Sequence, residues 1–170
     1  DKILIAGANG MVGRAINRLL INSGYGTKNM SGEIYTPSRK ELNYLNYSEV
    51  EDWFNLYSPS VVIIAAAKVG GIFANNNFPA DFLMDNLIIQ TNLITIAWKK
   101  KVRKLIFLGS SCIYPKFSKQ PILEEYLLSG SLEKTNESYA LAKIAGIKLW
   151  QSLRKQYKFD AISLMPSNLY

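Results

Sequence analysis

Residues 3–13 read Ile-Leu-Ile-Ala-Gly-Ala-Asn-Gly-Met-Val-Gly, and this stretch decides the fold. An apolar run at 3–6 is followed by three glycines and then by a helical pattern. Gly7 permits a tight turn, Gly10 leaves room for a pyrophosphate, and Gly13 lets the helix pack on the strand. The helix N-terminus offers free N–H groups and a positive dipole end to phosphates. The stretch predicts a dinucleotide-binding site, and a plain strand–turn–helix corner is the alternative. The cofactor-binding residues of that site would be Gly7, Ala8, Asn9, Gly10, Met11, Val12 and Gly13.

The rest of the chain alternates short apolar strands with helices. Further strands are predicted at 33–36, 61–64, 105–108 and 161–165. Helices are predicted from residue 12 to Ser23, from an N-cap at Ser48 to Pro59, and over 79–98 and 139–157. The β-branched run at 61–64 is typical of a parallel strand that is buried on both faces. The alternation predicts an α/β fold with a doubly wound parallel sheet, a Rossmann-like NAD(P)-binding domain over residues 1–170.

Four segments follow the ends of predicted strands. They are the turn at 7–13, the small-residue loop at 65–71, the Ser110–Cys112 segment and residues 166–170. In doubly wound sheets, ligands bind beyond the carboxyl ends of the strands. We therefore expect these segments to converge on one cleft.

Composition narrows the possible partners. A hydrophobic content of 48% with 19% charged residues indicates an ordinary globular domain, and no apolar run approaches a membrane span. The single cysteine, Cys112, favours a reducing cytoplasm. The net charge of +7 is scattered, and its densest cluster, residues 99–104, lies at a predicted helix end, where cations complement the helix dipole. We therefore predict no membrane partner and no nucleic-acid partner.

The chain contains no histidine, begins without methionine and stops directly after an apolar strand. The two ends predict that it is part of a longer polypeptide.

Tyr139 and Lys143 place a phenol and an ammonium four residues apart on one helix face. A free tyrosine titrates near pH ~10, and a neighbouring cation would lower that value and allow proton exchange with a substrate oxygen. Ser110, after the preceding strand, could donate a hydrogen bond to the same oxygen. An ordinary amphipathic helix would carry the same spacing by chance, but the glycine turn and Ser110 add specificity.

These motifs resemble the extended short-chain dehydrogenase/reductase family. Three further strings are similar, more narrowly, to the GDP-L-fucose synthases: Ala65-Ala66-Ala67-Lys68-Val69-Gly70-Gly71, residues 108–115 (Leu-Gly-Ser-Ser-Cys-Ile-Tyr-Pro) and residues 139–148. The closing Pro166-Ser167-Asn168-Leu169-Tyr170 fits as well, so the resemblance runs from end to end.

The resemblance implies a reaction and roles for four residues. The reaction is epimerisation of GDP-4-keto-6-deoxy-D-mannose at C3 and C5, followed by reduction of the C4 ketone with NADPH. Tyr139 would donate the proton to the C4 oxygen, and Ser110 would orient that oxygen. Lys143 would adjust the pKa of Tyr139 and hold the cofactor ribose. Cys112, as a thiolate of lowered pKa, would be a base or one of the acid/base pair for epimerisation. The implied partner acid is a histidine beyond residue 170. The resemblance also places most of the substrate lobe there, so the chain is expected to be truncated before most of that lobe. The full-length protein is expected to be a homodimer.

The remaining cofactor contacts also follow from the resemblance and from charge. No acidic residue ends the second strand to capture a 2′-hydroxyl, whereas Arg39 and Lys40 follow shortly after, which favours NADP(H). The family often has arginine where Asn9 stands, so this preference depends on those two cations. The other predicted cofactor-binding residues are Leu108, Gly109, Ser110, Ser111, Lys143, Pro166, Ser167, Asn168 and Leu169.

Two other readings stay open at this point. One is an NAD-dependent nucleotide-sugar 4-epimerase or 4,6-dehydratase of the same superfamily, which would not require Cys112 or the 65–71 string. The other is a non-catalytic cofactor-binding domain, which would not need Ser110, Tyr139 and Lys143 together.

Overall fold

The computed structural model describes residues 1–26 and 31–167, in which five strands form one parallel sheet. The strands are β1 (Lys2–Ala6), β2 (Glu33–Tyr35), β3 (Val61–Ile64), β4 (Lys104–Leu108) and β5 (Ala161–Leu164). Their order across the sheet is β2-β1-β3-β4-β5. Successive strands are thus added first on one side of β1 and then on the other, and the order reverses between β1 and β3. This arrangement confirms the predicted doubly wound, Rossmann-like fold.

Five helices connect and cover the strands. They are α1 (Met11–Asn22), α2 (Tyr47–Tyr57), α3 (Ile72–Asn77), α4 (Pro79–Lys99) and α5 (Glu137–Tyr157), and short 3₁₀ turns lie at Ser111–Ile113, Glu124–Tyr126 and Lys134–Asn136. Because crossovers are right-handed, the reversal of direction puts α1 on one face and α2, α4 and α5 on the other. On the first face, Ile16 and Leu20 of α1 pack against Ile3, Ile5 and Ile63.

The opposite face holds the larger part of the core. Leu4, Val62 and Phe107 lie there with α4 and α5, which pack side by side. All four residues of β3 are buried, as the sequence predicts for a strand covered on both faces. Each of these large side chains contributes roughly 1.5–3 kcal/mol by leaving water.

Two local predictions need correction. The N-cap of α2 is Asn46 rather than Ser48, because the Asn46 side chain accepts from the backbone N–H groups of Ser48 and Glu49. Helix α3 lies where no helix is predicted: the Asn75 side chain donates to the carbonyls of Gly70 and Gly71 and fixes this polar turn of chain.

No helix within the described part of the chain is long and apolar enough to cross a membrane.

Candidate active site

A cleft of about 790 Å³ opens at the carboxyl edge of the sheet, where the order of the strands reverses. Segments that follow all five strands contribute to it, which confirms the predicted convergence. Its lining residues are Gly7, Ala8, Asn9, Gly10, Met11, Val12, Gly13, Pro37, Arg39, Tyr44, Ala65, Ala66, Ala67, Val69, Ile89, Leu108, Gly109, Ser110, Tyr139, Lys143, Pro166 and Ser167. The predicted contacts Asn168 and Leu169 lie outside the described residues.

The glycine turn is packed too tightly for side chains at two of its three glycines. Gly7 has a φ of +87°, and a Cβ there would lie 2.6 Å from the backbone nitrogen of Ala66. A Cβ on Gly13 would lie 2.2 Å from the carbonyl oxygen of Gly7. Gly10 is the N-cap of α1 and has no side chain to bond the first N–H groups of the helix. These N–H groups lie beside the cleft without a side-chain partner from the N-cap. Such a turn can hold a phosphate against backbone N–H groups.

Lys143 is buried at the floor of the cleft, with 4% of its surface exposed. Its ammonium donates to the carbonyl oxygen of Leu108 at 2.8 Å and lies 4.7 Å from the centre of the Phe107 ring. The same nitrogen is 5.7 Å from the centre of the Tyr139 ring, so the predicted pair meets in space. Burial lowers the pKa of Lys143 to about 8, against a smaller opposing effect of Cys112.

The prediction that Lys143 lowers the pKa of Tyr139 is wrong. Burial, with a contribution from Cys112, raises the pKa of Tyr139 to about 12. The phenol loses water on burial, and the ammonium of Lys143 faces the ring rather than bonding the hydroxyl. The phenol is therefore protonated at neutral pH.

Ser110 and Cys112 lie at the end of β4, but only Ser110 lines the cleft. The Ser110 hydroxyl oxygen accepts from the backbone N–H of Cys112 at 3.4 Å and caps a 3₁₀ turn. Cys112 is half-buried behind it, and Ser111 is exposed and does not line the cleft. The predicted lowering of the thiol pKa is also wrong: burial raises the pKa of Cys112, although Ser110 and Lys143 act in the opposite direction.

Of the two cations predicted to read a 2′-phosphate, only Arg39 lines the cleft, whereas Lys40 is exposed beside it. Arg39 also lines an adjoining cavity of about 160 Å³ that contains Lys68 and Asp85. The ammonium of Lys68 is paired with Asp85 at 2.8 Å and with Asp81 at 3.3 Å. Arg39 forms no ion pair with any described residue, so its charge is available to an anion.

Sequence reasoning missed several lining residues, among which Tyr44 is the largest. It is 7% exposed and lines both the cleft and the adjoining cavity. Tyr44 belongs to no motif and precedes α2, so the sequence carries no signal for it. The other lining residues not assigned a role are Pro37, Ala65, Ala66, Ala67, Val69 and Ile89, of which the three alanines and Val69 lie in the loop predicted to reach the cleft. No group of three His, Cys, Asp or Glu side chains in residues 1–26 and 31–167 could hold a metal ion.

Comparison with known proteins extends this description. The family described as NAD dependent epimerase/dehydratase matches residues 3–170. A probable GDP-L-fucose synthase of Oryza sativa subsp. japonica is 54% identical over 170 residues, covering 99% of this chain and 50% of the relative. GDP-L-fucose synthase of Escherichia coli K12 is 52% identical over 170 residues, covering all of this chain and 51% of the relative. The crystal structure of a GDP-L-fucose synthetase from Naegleria fowleri bound to NADP superimposes with a TM-score of 0.86 at 28% identity, over 100% of this chain and 51% of that one. The chain thus spans about half the length of the curated relatives it matches.

Proposed function

The chain belongs to the NAD dependent epimerase/dehydratase family, and we propose that it is the cofactor-binding half of a GDP-L-fucose synthase. This bifunctional enzyme would epimerise GDP-4-keto-6-deoxy-D-mannose at C3 and C5 and reduce its C4 ketone with NADPH. The observation that carries the proposal is a single cleft in which the glycine turn, Arg39, Ser110 and the Tyr139–Lys143 pair meet. Identities of 54% and 52% to GDP-L-fucose synthases support the choice of substrate.

The residues of the cleft fit NADP(H). The backbone of residues 7–13 and the uncapped end of α1 would hold the pyrophosphate, since side chains are excluded at Gly7 and Gly13. Arg39 would bind the 2′-phosphate with Lys40 at the rim, and Lys143 would hold the ribose. Leu108, Gly109, Pro166 and Ser167 would line the nicotinamide end. When bound, NADPH supplies a hydride to the C4 ketone.

Tyr139 is suited to give a proton to the C4 oxygen. With a pKa of about 12 it is protonated at neutral pH, as a donor must be, yet it is a stronger acid than the alcohol that forms. The ammonium of Lys143 lies close enough to stabilise the phenolate left behind. The Ser110 hydroxyl would donate a hydrogen bond to the same substrate oxygen and orient it.

Cys112 would act as a base in the epimerisation. The 4-keto group acidifies the C–H bonds at C3 and C5, and a thiolate can remove those protons. Burial works against the thiolate in this position, whereas Lys143 and Ser110 favour it. The chain has no histidine to return protons, so it would supply one half of the acid/base pair.

The finer assignments are part of the same proposal. A homodimer in the full-length protein is supported by exposed apolar side chains on the two helices that pack side by side, namely Met84, Ile88 and Leu141. A cytoplasmic location is supported by the single free cysteine.

A chimera tests the proposal. In it, the chain replaces the matching half of the Escherichia coli relative, and GDP-4-keto-6-deoxy-D-mannose and NADPH are supplied. We expect GDP-L-fucose as the product, and its loss in a chimera that also carries Tyr139→Phe. A folded chimera that binds NADPH but releases a different sugar nucleotide, or none, would overturn the assignment.

A further inference from the structure

Helix α4 carries three amide side chains that are almost fully buried. Asn86, Gln90 and Asn92 are 2%, 3% and 8% exposed. Amides are seldom buried unless their hydrogen bonds are made. Each of these three donates to a backbone carbonyl in a different segment around the cleft.

Asn86 holds the loop that follows β3. Its amide nitrogen donates to the carbonyl oxygen of Lys68 at 2.9 Å, and its oxygen accepts from the N–H of the same residue at 2.9 Å. Both backbone polar groups of Lys68 are thereby satisfied by one side chain. The neighbouring residues Ala67 and Val69 line the cleft, so this bond pair sets the position of that wall.

Gln90 holds the helix that carries Tyr139 and Lys143. Its amide nitrogen donates to the carbonyl oxygen of Ala142, the residue that precedes Lys143. A Cβ on Gly146 would lie 2.8 Å from Gln90 and 2.9 Å from Phe107, so the missing side chain makes room for this contact. The Phe107 ring in turn lies beneath the ammonium of Lys143.

Asn92 holds the segment between β2 and α2. Its amide nitrogen donates to the carbonyl oxygen of Tyr44 at 2.9 Å. Tyr44 lines the cleft together with Arg39, five residues earlier. Asn86 and Gln90 are about one helical turn apart, whereas Asn92 is rotated from Gln90 by roughly half a turn, so α4 reaches walls on two sides.

We propose that α4 holds the cleft in shape and that Asn86, Gln90 and Asn92 are positioning residues, each for one wall. The consequences for cofactor affinity rest on the proposed function, whereas the consequences for wall mobility do not. Each amide acts through backbone atoms and touches no part of the reacting groups. Loss of one amide should therefore loosen one wall rather than the whole domain.

Hydrogen exchange of the 170-residue chain, followed by mass spectrometry without added nucleotide, tests this directly. The variants are Asn86→Leu, Gln90→Met and Asn92→Leu, which keep volume and remove the amide. We expect exchange to become roughly five- to thirtyfold faster in residues 65–71, 139–146 and 39–45 respectively, the factor that a lost buried hydrogen bond represents. Thr91→Ala, at an exposed position of the same helix, is the control and should change none of them.

A second set of variants covers the case of poor folding. Asn86→Ala, Gln90→Ala and Asn92→Ala remove each amide without adding bulk or charge at these buried positions. The same wall-specific pattern is expected. Equal acceleration in all three walls, or none in the assigned wall, would overturn the proposal.

Titration with NADPH and NADH separates this proposal from the functional one. Asn92→Leu should lower the preference for NADPH, because it frees the segment that carries Arg39, whereas Asn86→Leu should weaken both cofactors equally. If Asn92→Leu and Asn86→Leu affect the two cofactors alike while the exchange pattern is as expected, the assignment of Arg39 to the 2′-phosphate fails and the positioning role stands. If neither cofactor binds the wild-type chain, the proposed function fails and the exchange result alone decides.

Discussion

The buried ammonium of Lys143 should make the stability of this chain depend on pH. Its pKa falls from 10.5 to about 8 on folding, so between those values the unfolded chain holds the proton more tightly. Protonation then favours the unfolded state, and the free energy of unfolding should rise as the pH rises through this window. Because each pKa unit corresponds to about 1.36 kcal/mol, linkage gives a gain of about 2 kcal/mol between about pH 7.5 and about pH 9.5.

Urea unfolding, followed by tryptophan fluorescence at those two pH values, measures the gain. We expect wild type to gain about 2 kcal/mol more than Lys143→Met, in which the titrating group is absent. Lys148→Met is the matched control, because it removes an exposed ammonium from the same helix and should keep the wild-type gain. The raised pKa values of Cys112 and Tyr139 act in the opposite direction, that of Tyr139 only above about pH 10. Both groups are present in wild type and in Lys143→Met, so the difference between the two proteins reports on Lys143. Equal gains in wild type and Lys143→Met would refute the burial argument.

Three further substitutions test the roles assigned to the cleft. Arg39→Ala should weaken NADPH binding roughly ten- to hundredfold and leave NADH nearly unchanged in a titration, since a charge-assisted bond to the 2′-phosphate is lost; equal losses for both cofactors would contradict this. Tyr139→Phe in the chimera should slow C4 reduction by ~10²–10⁴ with little change in NADPH affinity, and near-normal reduction would assign the proton to another group. Cys112→Ser in the chimera should stop solvent deuterium incorporation at C3 and C5, because a serine hydroxyl is a poor base; exchange at the wild-type rate would leave Cys112 a packing residue.

The parallel sheet could be predicted because its causes are local. A strand buried on both faces must be a continuous apolar run, and β3 is one. The glycine spacing predicts the turn for a comparable reason, since only glycine fits at residues 7 and 13. The sequence also carries a signal for the N-cap of α2. The Asn46 amide donates to Glu49, and a spacing of three residues is typical of a capping pair.

The remaining features depend on contacts between residues that are distant in the sequence. Tyr44 lines the cleft, and its carbonyl oxygen accepts a hydrogen bond from Asn92, 48 residues later. The pKa directions of Tyr139 and Cys112 were predicted wrongly for a related reason. The sequence places a cation near both groups, but the whole fold determines how much water they lose, and here burial is the larger effect.

The most direct test of the central claim is a calorimetric titration of the 170-residue chain with NADPH. The account predicts saturable binding of one NADPH per chain, tighter than that of NADH. Gly13→Val should abolish it, because a side chain there would collide with the carbonyl oxygen of Gly7. A folded wild-type chain that binds neither cofactor would contradict the claim.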